Sequence, residues 1–232
     1  MNYKNVFSQT IQLFRHSKII WILGSLAVVA EFSYRVSTSL IGKSATCYPF
    51  VLPLIAVYFL LLTKVGLIYS SNRIISNQAP TLSETWEFSK TKLKGILWLY
   101  FLSIPLVMFS VFIPTLVRLS EISDILTLLV ELFANLFLSS LFTLSICAIT
   151  INNLESGRAL WTSLLIMSDN FFPIIALNII FLVLQMLIFW VTGNSIICLI
   201  VFVPFTVTMS LAYRQFITKN SYPTLSNSQT TA

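Results

Sequence analysis

Apolar and polar residues alternate along this chain in blocks, not singly. The apolar blocks are long enough to cross a bilayer as helices, which takes about 20 residues each. They predict six spans, at roughly 19–38, 48–71, 95–117, 125–151, 171–192 and 195–213. The first is the shortest in clean apolar sequence. Its run "IIWILGSLAVVA" stops at Glu31, so residues 32–38 must complete it, or the helix tilts or thins the bilayer locally. Pro53, Pro105 and Pro204 fall inside spans. In a helix bundle neighbouring groups can satisfy the carbonyls a proline frees, so these three predict kinks.

One polar block carries a pattern of its own. "PTLSETWEFSKTKLKGILWLY" places Thr81 three residues before Glu84, the spacing of a capping box, with Pro80 ahead of it. Leu82, Trp86, Ser89 and Leu93 then recur at helical spacing, and Glu84, Glu87, Lys90, Thr91 and Lys94 take much of the other side. This predicts a short amphipathic helix lying in the membrane surface, a surface helix, with Trp86 on its apolar face. Gly95 and Ile96 lead from it into the third span.

The pattern recurs at a spacing of 75 residues. "FSQTIQLFRHSKIIWILG" precedes the block and "GRALWTSLLIMSDNFFPI" follows it, so that Phe7, Leu82 and Gly157 coincide. Ser8 then matches Ser83, Thr10 matches Thr85, and Trp86 matches Trp161. Each copy reads as a short amphipathic helix, a polar break and two spans. The expected repeats are 1–75, 76–150 and 151–216, and repeats of such length signal a supersecondary unit. Every unit crosses twice, so all three share one orientation and relate by an axis along the membrane normal. The expected fold is therefore an all-α membrane protein. Six transmembrane helices form three hairpins, each preceded by an amphipathic cytoplasmic helix, in a single domain over 1–216. Residues 217–232, "ITKNSYPTLSNSQTTA", read as a disordered polar tail.

Composition agrees. The chain is 56% hydrophobic and only 9% charged, against about 25% charged for a soluble domain. With the N-terminus placed in the cytoplasm, that side holds Lys4, Arg15, Lys18, Arg73, Lys90, Lys92, Lys94, Arg158, Arg214 and Lys219. The other holds Arg35, Lys43 and Arg118. This asymmetry predicts both termini inside. The net charge of +6 is then an orientation signal and a grip on anionic lipid. No basic patch interleaved with aromatic residues stands apart from the spans, so nucleic acid is not an expected partner. A competing reading of the N-terminus is a secretory signal cut after Ala30, at "VVAE"; the long amphipathic leader argues against it.

The segments "LSETWEFSKTKLKGIL" and "GRALWTSLLIMSDNFFPIIALNI", with the closing "AYRQF", resemble bacterial six-helix membrane families. One of these is the glycerophosphoryl diester phosphodiesterase membrane domain. The resemblance implies an architecture and a location in the bacterial cytoplasmic membrane. The catalytic domain that the family name refers to has no counterpart in these residues, so no activity is implied.

The residues themselves offer little chemistry. Metal-assisted phosphodiester hydrolysis needs several carboxylate and histidine ligands, and the chain holds eight acidic residues, scattered, and one histidine, His16. There is no Asp-x-x-Asp, His-Glu-x-x-His or Gly-rich phosphate loop. A Ser–Lys dyad using Lys64 lacks a marked serine. Cys47, Cys147 and Cys198 form neither a metal set nor a disulfide framework. No enzyme, cofactor or metal site is expected.

Polar groups at membrane depth are costly and so mark candidates. Glu31 has Arg35 four residues on, a local ion pair. Lys64 is long enough to snorkel to headgroups. Glu131 has no residue of opposite charge three or four positions away, and is the leading candidate for a group serving the bundle interior. Gln185 can hydrogen-bond between helices. Trp86, Trp161, Lys90 and Lys94 are expected interfacial anchors. Two function classes follow. One is a non-catalytic membrane component that binds lipid, a membrane protein partner or a second copy of itself. The other is a small permease or channel-like subunit with Glu131 lining a polar path.

Overall fold

A computed structural model describes residues 2–41, 48–119, 124–192 and 201–220. Among these, the chain is helical throughout, apart from short turns. The helices are α1 (Tyr3–His16), α2 (Lys18–Ile41), α3 (Tyr48–Ile75), α4 (Leu82–Leu102) and α5 (Ile104–Leu119). They continue with α6 (Asp124–Ile151), α7 (Ser156–Asp169), α8 (Phe171–Thr192) and α9 (Phe202–Asn220). Three are long and apolar enough to cross a membrane, over Pro53–Ile75, Asp124–Ile151 and Phe171–Ile188. The number rises to five if two bent pairs each count as one span, Tyr3–His16 with Lys18–Tyr34 and Leu82–Leu102 with Ile104–Val117. The expected sixth span, 195–213, lies partly outside the described residues. Its described part, α9, continues through Ile217–Asn220, so the helix claims the first residues of the expected tail.

The chain divides into two compact units, Met1–Leu93 with Phe181–Gln215, and Lys94–Ile180 with Phe216–Ala232. In the first, α2 and α3 pack along their length. Ile20, Leu23, Ala27 and Ala30 repeat at three- and four-residue intervals on the buried side of α2, as one helix face requires. Ala30, the residue a signal cleavage would follow, is thus buried within a helix. Val6 and Leu13 of α1 and Val203, Val207 and Leu211 of α9 join the same core. Small residues bring the helices close. A Cβ on Gly24 would stand 2.9 Å from Val203 Cγ1, and one on Gly66 3.1 Å from Thr85 Cγ2. Hydroxyl pairs stitch helices together, Thr10 to Thr208 at 3.1 Å, Ser70 to Thr85 at 3.2 Å and Ser71 to Ser210 at 2.9 Å.

In the second unit, α6 changes character halfway. Ser140, Leu141 and every residue from Thr143 to Thr150 are buried, whereas Ile125, Leu128, Leu129 and Phe133 are exposed. Ser156 at the start of α7 donates to the Gly95 carbonyl at 2.6 Å, and Asn178 of α8 donates to Ser140 Oγ at 2.7 Å.

α3 and α6 are each 28 residues long. Each ends in a turn with a left-handed asparagine, Asn77 at φ 57° and Asn153 at φ 55°. At α3 the Asn77 N–H bonds the Ile74 carbonyl and the Gln78 N–H bonds that of Arg73. This is the Schellman closure of a helix C-terminus, and asparagine tolerates the left-handed backbone it needs.

The junctions between surface helices and apolar segments correct the sequence reading. A break after the surface helix is present at Ser17, where α1 and α2 meet at 94°, and at Asn170, between α7 and α8. In the middle copy no break occurs near Gly95. α4 runs on to Leu102, and a 41° bend comes at Ser103. Pro105 accounts for the position: it has no N–H for the Phe101 carbonyl and its ring crowds the preceding turn. Pro105 thus bends the expected third span, as predicted, from the first turn of α5, whereas Pro204 sits in the first turn of α9, where the missing N–H costs nothing. Pro53 alone of the three lies well within a helix.

Candidate functional site

The joint between α3 and α4 gathers polar groups that the sequence scattered. Thr81 Oγ1 accepts from the Glu84 N–H at 3.2 Å, which is half of the expected capping box. The other half is replaced. Glu84 turns away from its own helix end and accepts from Arg73 Nη2 at 2.6 Å and from the Tyr69 hydroxyl at 2.7 Å. Arg73 also donates to Tyr69 at 3.0 Å and to Gln78. Tyr69 stacks on Phe88 with ring centroids 4.1 Å apart. The Tyr69 hydroxyl and then the Arg73 guanidinium hold the Glu84 carboxyl below its ordinary range. One carboxylate thus ties the end of a membrane-length helix to the start of a surface helix. Arg73 and Glu84 lie across a turn, so helical spacing gave no sign of the pair.

Beside this joint is a cavity of about 550 Å³ in the same unit. Its polar lining comes from His16, Ser17 and Lys18 at the α1–α2 elbow and from Asn77 and Gln78 after α3. Its apolar lining is Ile19, Ile22, Ile74 and Leu82. The elbow exists because Ser17 leaves the helical region (φ −117°, ψ 104°) while its N–H still closes α1 on the Leu13 carbonyl. Trp21 Nε1 bonds the Phe14 carbonyl at 2.7 Å and braces the bend.

The predicted site residues are dispersed. Glu31 is on α2, and its side chain, like that of Arg35, lies outside the described residues. Lys64 is half-buried on α3 with Nζ 5.7 Å from the centre of the Phe202 ring, a cation–π arrangement. Glu131 is half-buried on the largely exposed first half of α6 and does not line the cavity. Gln185 is half-buried on α8. Asn178 is a polar link between α6 and α8, and the same sequence argument would have found it had it been applied to every amide in an apolar run. Lys94 is exposed, and Lys90 is exposed and bonded to Glu87 at 2.8 Å.

The tertiary structure also fixes which side of each surface helix packs on protein. In the surface part of α4, residues 82–93, the buried positions are Thr85 and Ser89, while Leu82 is 42% exposed and Trp86 half-buried against Phe59. On α7 they are Ser156, Ala159, Thr162, Ser163, Ile166 and Met167, while Trp161 is 63% exposed. Small hydroxyl-bearing residues let a surface helix sit close to its neighbours. The tryptophans point elsewhere.

Among the described residues, no three of His, Cys, Asp and Glu gather closely enough to hold a metal ion. The chain matches no protein-family model, no characterised protein and no solved structure.

Proposed function

We propose that this chain is a non-catalytic multi-pass membrane protein that binds lipid or a membrane partner. The observation that carries this reading is the unburied apolar surface of its long helices. Only 17% of the most apolar window of α6 and 22% of that of α8 is buried within the chain. Phe172, Trp190, Ile125 and Leu128 are among the most exposed side chains. So much apolar surface needs acyl chains or a partner's helices against it.

The proposed architecture is six spans in three hairpins with both termini cytoplasmic. Two features support the repeat. α3 and α6 share length and a left-handed asparagine stop. Thr10 and Thr85, which match at the 75-residue spacing, each form a hydroxyl pair with another helix. The surface helices lie at the cytoplasmic membrane face with small residues toward protein and Trp86 and Trp161 toward the headgroups. That division suits an amphipathic aromatic.

The test is reconstitution. The purified chain in phosphatidylethanolamine–phosphatidylglycerol vesicles is expected to retain lipid through mild detergent extraction, read by native mass spectrometry. It is expected to leave vesicle permeability to protons and small ions unchanged. An ion or proton conductance abolished by Glu131→Gln would replace this reading with the permease one.

A further inference from the structure

We propose that the cavity at the α1–α2 elbow is a binding site for the phosphate of an anionic lipid headgroup. The inference rests on the lipid-binding reading above and names the ligand and its place.

Three independent features converge there. The first is charge. Lys18 and His16 line the cavity, and no Asp or Glu does. Glu84, on neighbouring α4, is already engaged by Arg73 and Tyr69. Among the described residues Lys18 and His16 have no ion-pair or hydrogen-bonding side-chain partner.

The second is an unused donor. Ser17 is only 8% exposed, lines the cavity, and its hydroxyl has no hydrogen-bond partner among the described residues. It stands where an N-cap of α2 belongs, yet it does not close that helix's first turn. The opening N–H groups of a 24-residue helix, next to Lys18, are left for a ligand. A helix start with open N–H groups and a nearby cation is an anion-binding arrangement.

The third is the neutralisation of what would oppose an anion. The α3 C-terminus borders the cavity, and the carbonyls of Arg73 and Ile74 would repel phosphate oxygens. Both accept from the Gln78 and Asn77 N–H groups. Asn77 and Gln78 themselves line the cavity, and the Gln78 amide oxygen is taken up by Arg73.

The apolar part of the lining, Ile19, Ile22, Ile74 and Leu82, decides between sources of phosphate. A free inorganic anion gains nothing from such a lining, whereas a phospholipid lays its glycerol and first methylenes on it, at about 0.8 kcal/mol per buried CH₂. The volume of about 550 Å³ lies within the roughly 300–1,000 Å³ range of small-molecule sites.

The test uses the full chain in detergent micelles, titrated with phosphatidylglycerol, with phosphatidylcholine or with inorganic phosphate, and read by native mass spectrometry. Phosphatidylglycerol is expected to bind with higher affinity than phosphatidylcholine and to resist millimolar inorganic phosphate. Lys18→Glu should weaken it about tenfold, as expected for reversing one contact charge. Ser17→Ala should weaken it about threefold, in proportion to one hydrogen bond. Lys219→Glu, a change at an exposed charge that does not line the cavity, should leave it unaltered. Circular dichroism and melting of each variant establish that the fold is intact. Phosphatidylglycerol displaced by inorganic phosphate, or phosphate bound with equal affinity, would overturn the lipid assignment. Equal retention by Lys18→Glu, Ser17→Ala and the parent would overturn the site while leaving lipid binding in place. Loss of all lipid retention in the parent would overturn the broader reading as well.

Discussion

The close approach of α2 and α9 in the first unit makes a sharp demand on one residue. A Cβ on Gly24 would lie 2.9 Å from Val203 Cγ1 and 3.2 Å from Cγ2. That is about half an ångström short of ordinary carbon–carbon contact. Val203 is 5% exposed and belongs to the core of α1, α2, α3 and α9. Its β-branched side chain has little χ1 freedom with which to yield. Gly24→Ala must therefore move backbone or force a rotamer, at a cost of about 1–3 kcal/mol. Alanine favours the helix over glycine by about 1 kcal/mol, which offsets part of this. The net expectation is a loss of roughly 0–2 kcal/mol, too wide a range to test alone. A second substitution sharpens it. In a Val203→Ala background the obstructing methyls are gone, so Gly24→Ala should become stabilising by up to about 1 kcal/mol. The change of sign distinguishes a steric contact from a simple propensity effect. Reversible unfolding in mixed micelles, followed by circular dichroism, gives all four corners of the cycle. A coupling between the two positions below about 0.5 kcal/mol would refute the close approach of α2 and α9.

Two further outcomes are expected. Reporter fusions after residues 43 and 121 should lie outside the cell and one after residue 90 inside; an inside signal at 121 would sink the six-span topology. Glu131→Leu should lower stability in detergent more than Glu131→Gln, by about 0.5–1.5 kcal/mol, because glutamine keeps the hydrogen-bonding capacity that leucine removes. Leucine at parent stability or above, with the chain's lipid retention unaltered, would show that Glu131 does not serve the bundle.

The sequence by itself determined that the chain is helical and lipid-compatible, and roughly where its elements lie. Runs of apolar residues as long as those in α3, α6 and α8 leave a helix as the way to satisfy the backbone inside a bilayer. Hydrophobic pattern located their positions for the same reason. Local signals also held where the chemistry was local. Thr81 caps α4 as its spacing to Glu84 implied, and the polar breaks at Ser17 and Asn170 are present. The tertiary structure decided which side of each surface helix faces protein. Pattern placed Trp86 on an apolar face at the membrane surface and left open which residues meet protein. Burial went to Thr85, Ser89, Thr162 and Ser163, because close helix packing selects small side chains and because the large apolar ones have lipid as an alternative partner. In water the apolar side and the buried side coincide; against a membrane they separate. The same holds for the charges. Glu84 has Lys90 and Lys94 on its own helix, yet it bonds Arg73 across a turn. No period in the sequence encodes that meeting, since it depends on how the chain reverses between α3 and α4. The elbow cavity belongs to this second kind, because its walls come from residues 16–22 and 74–82, which share no helix and meet only in the fold.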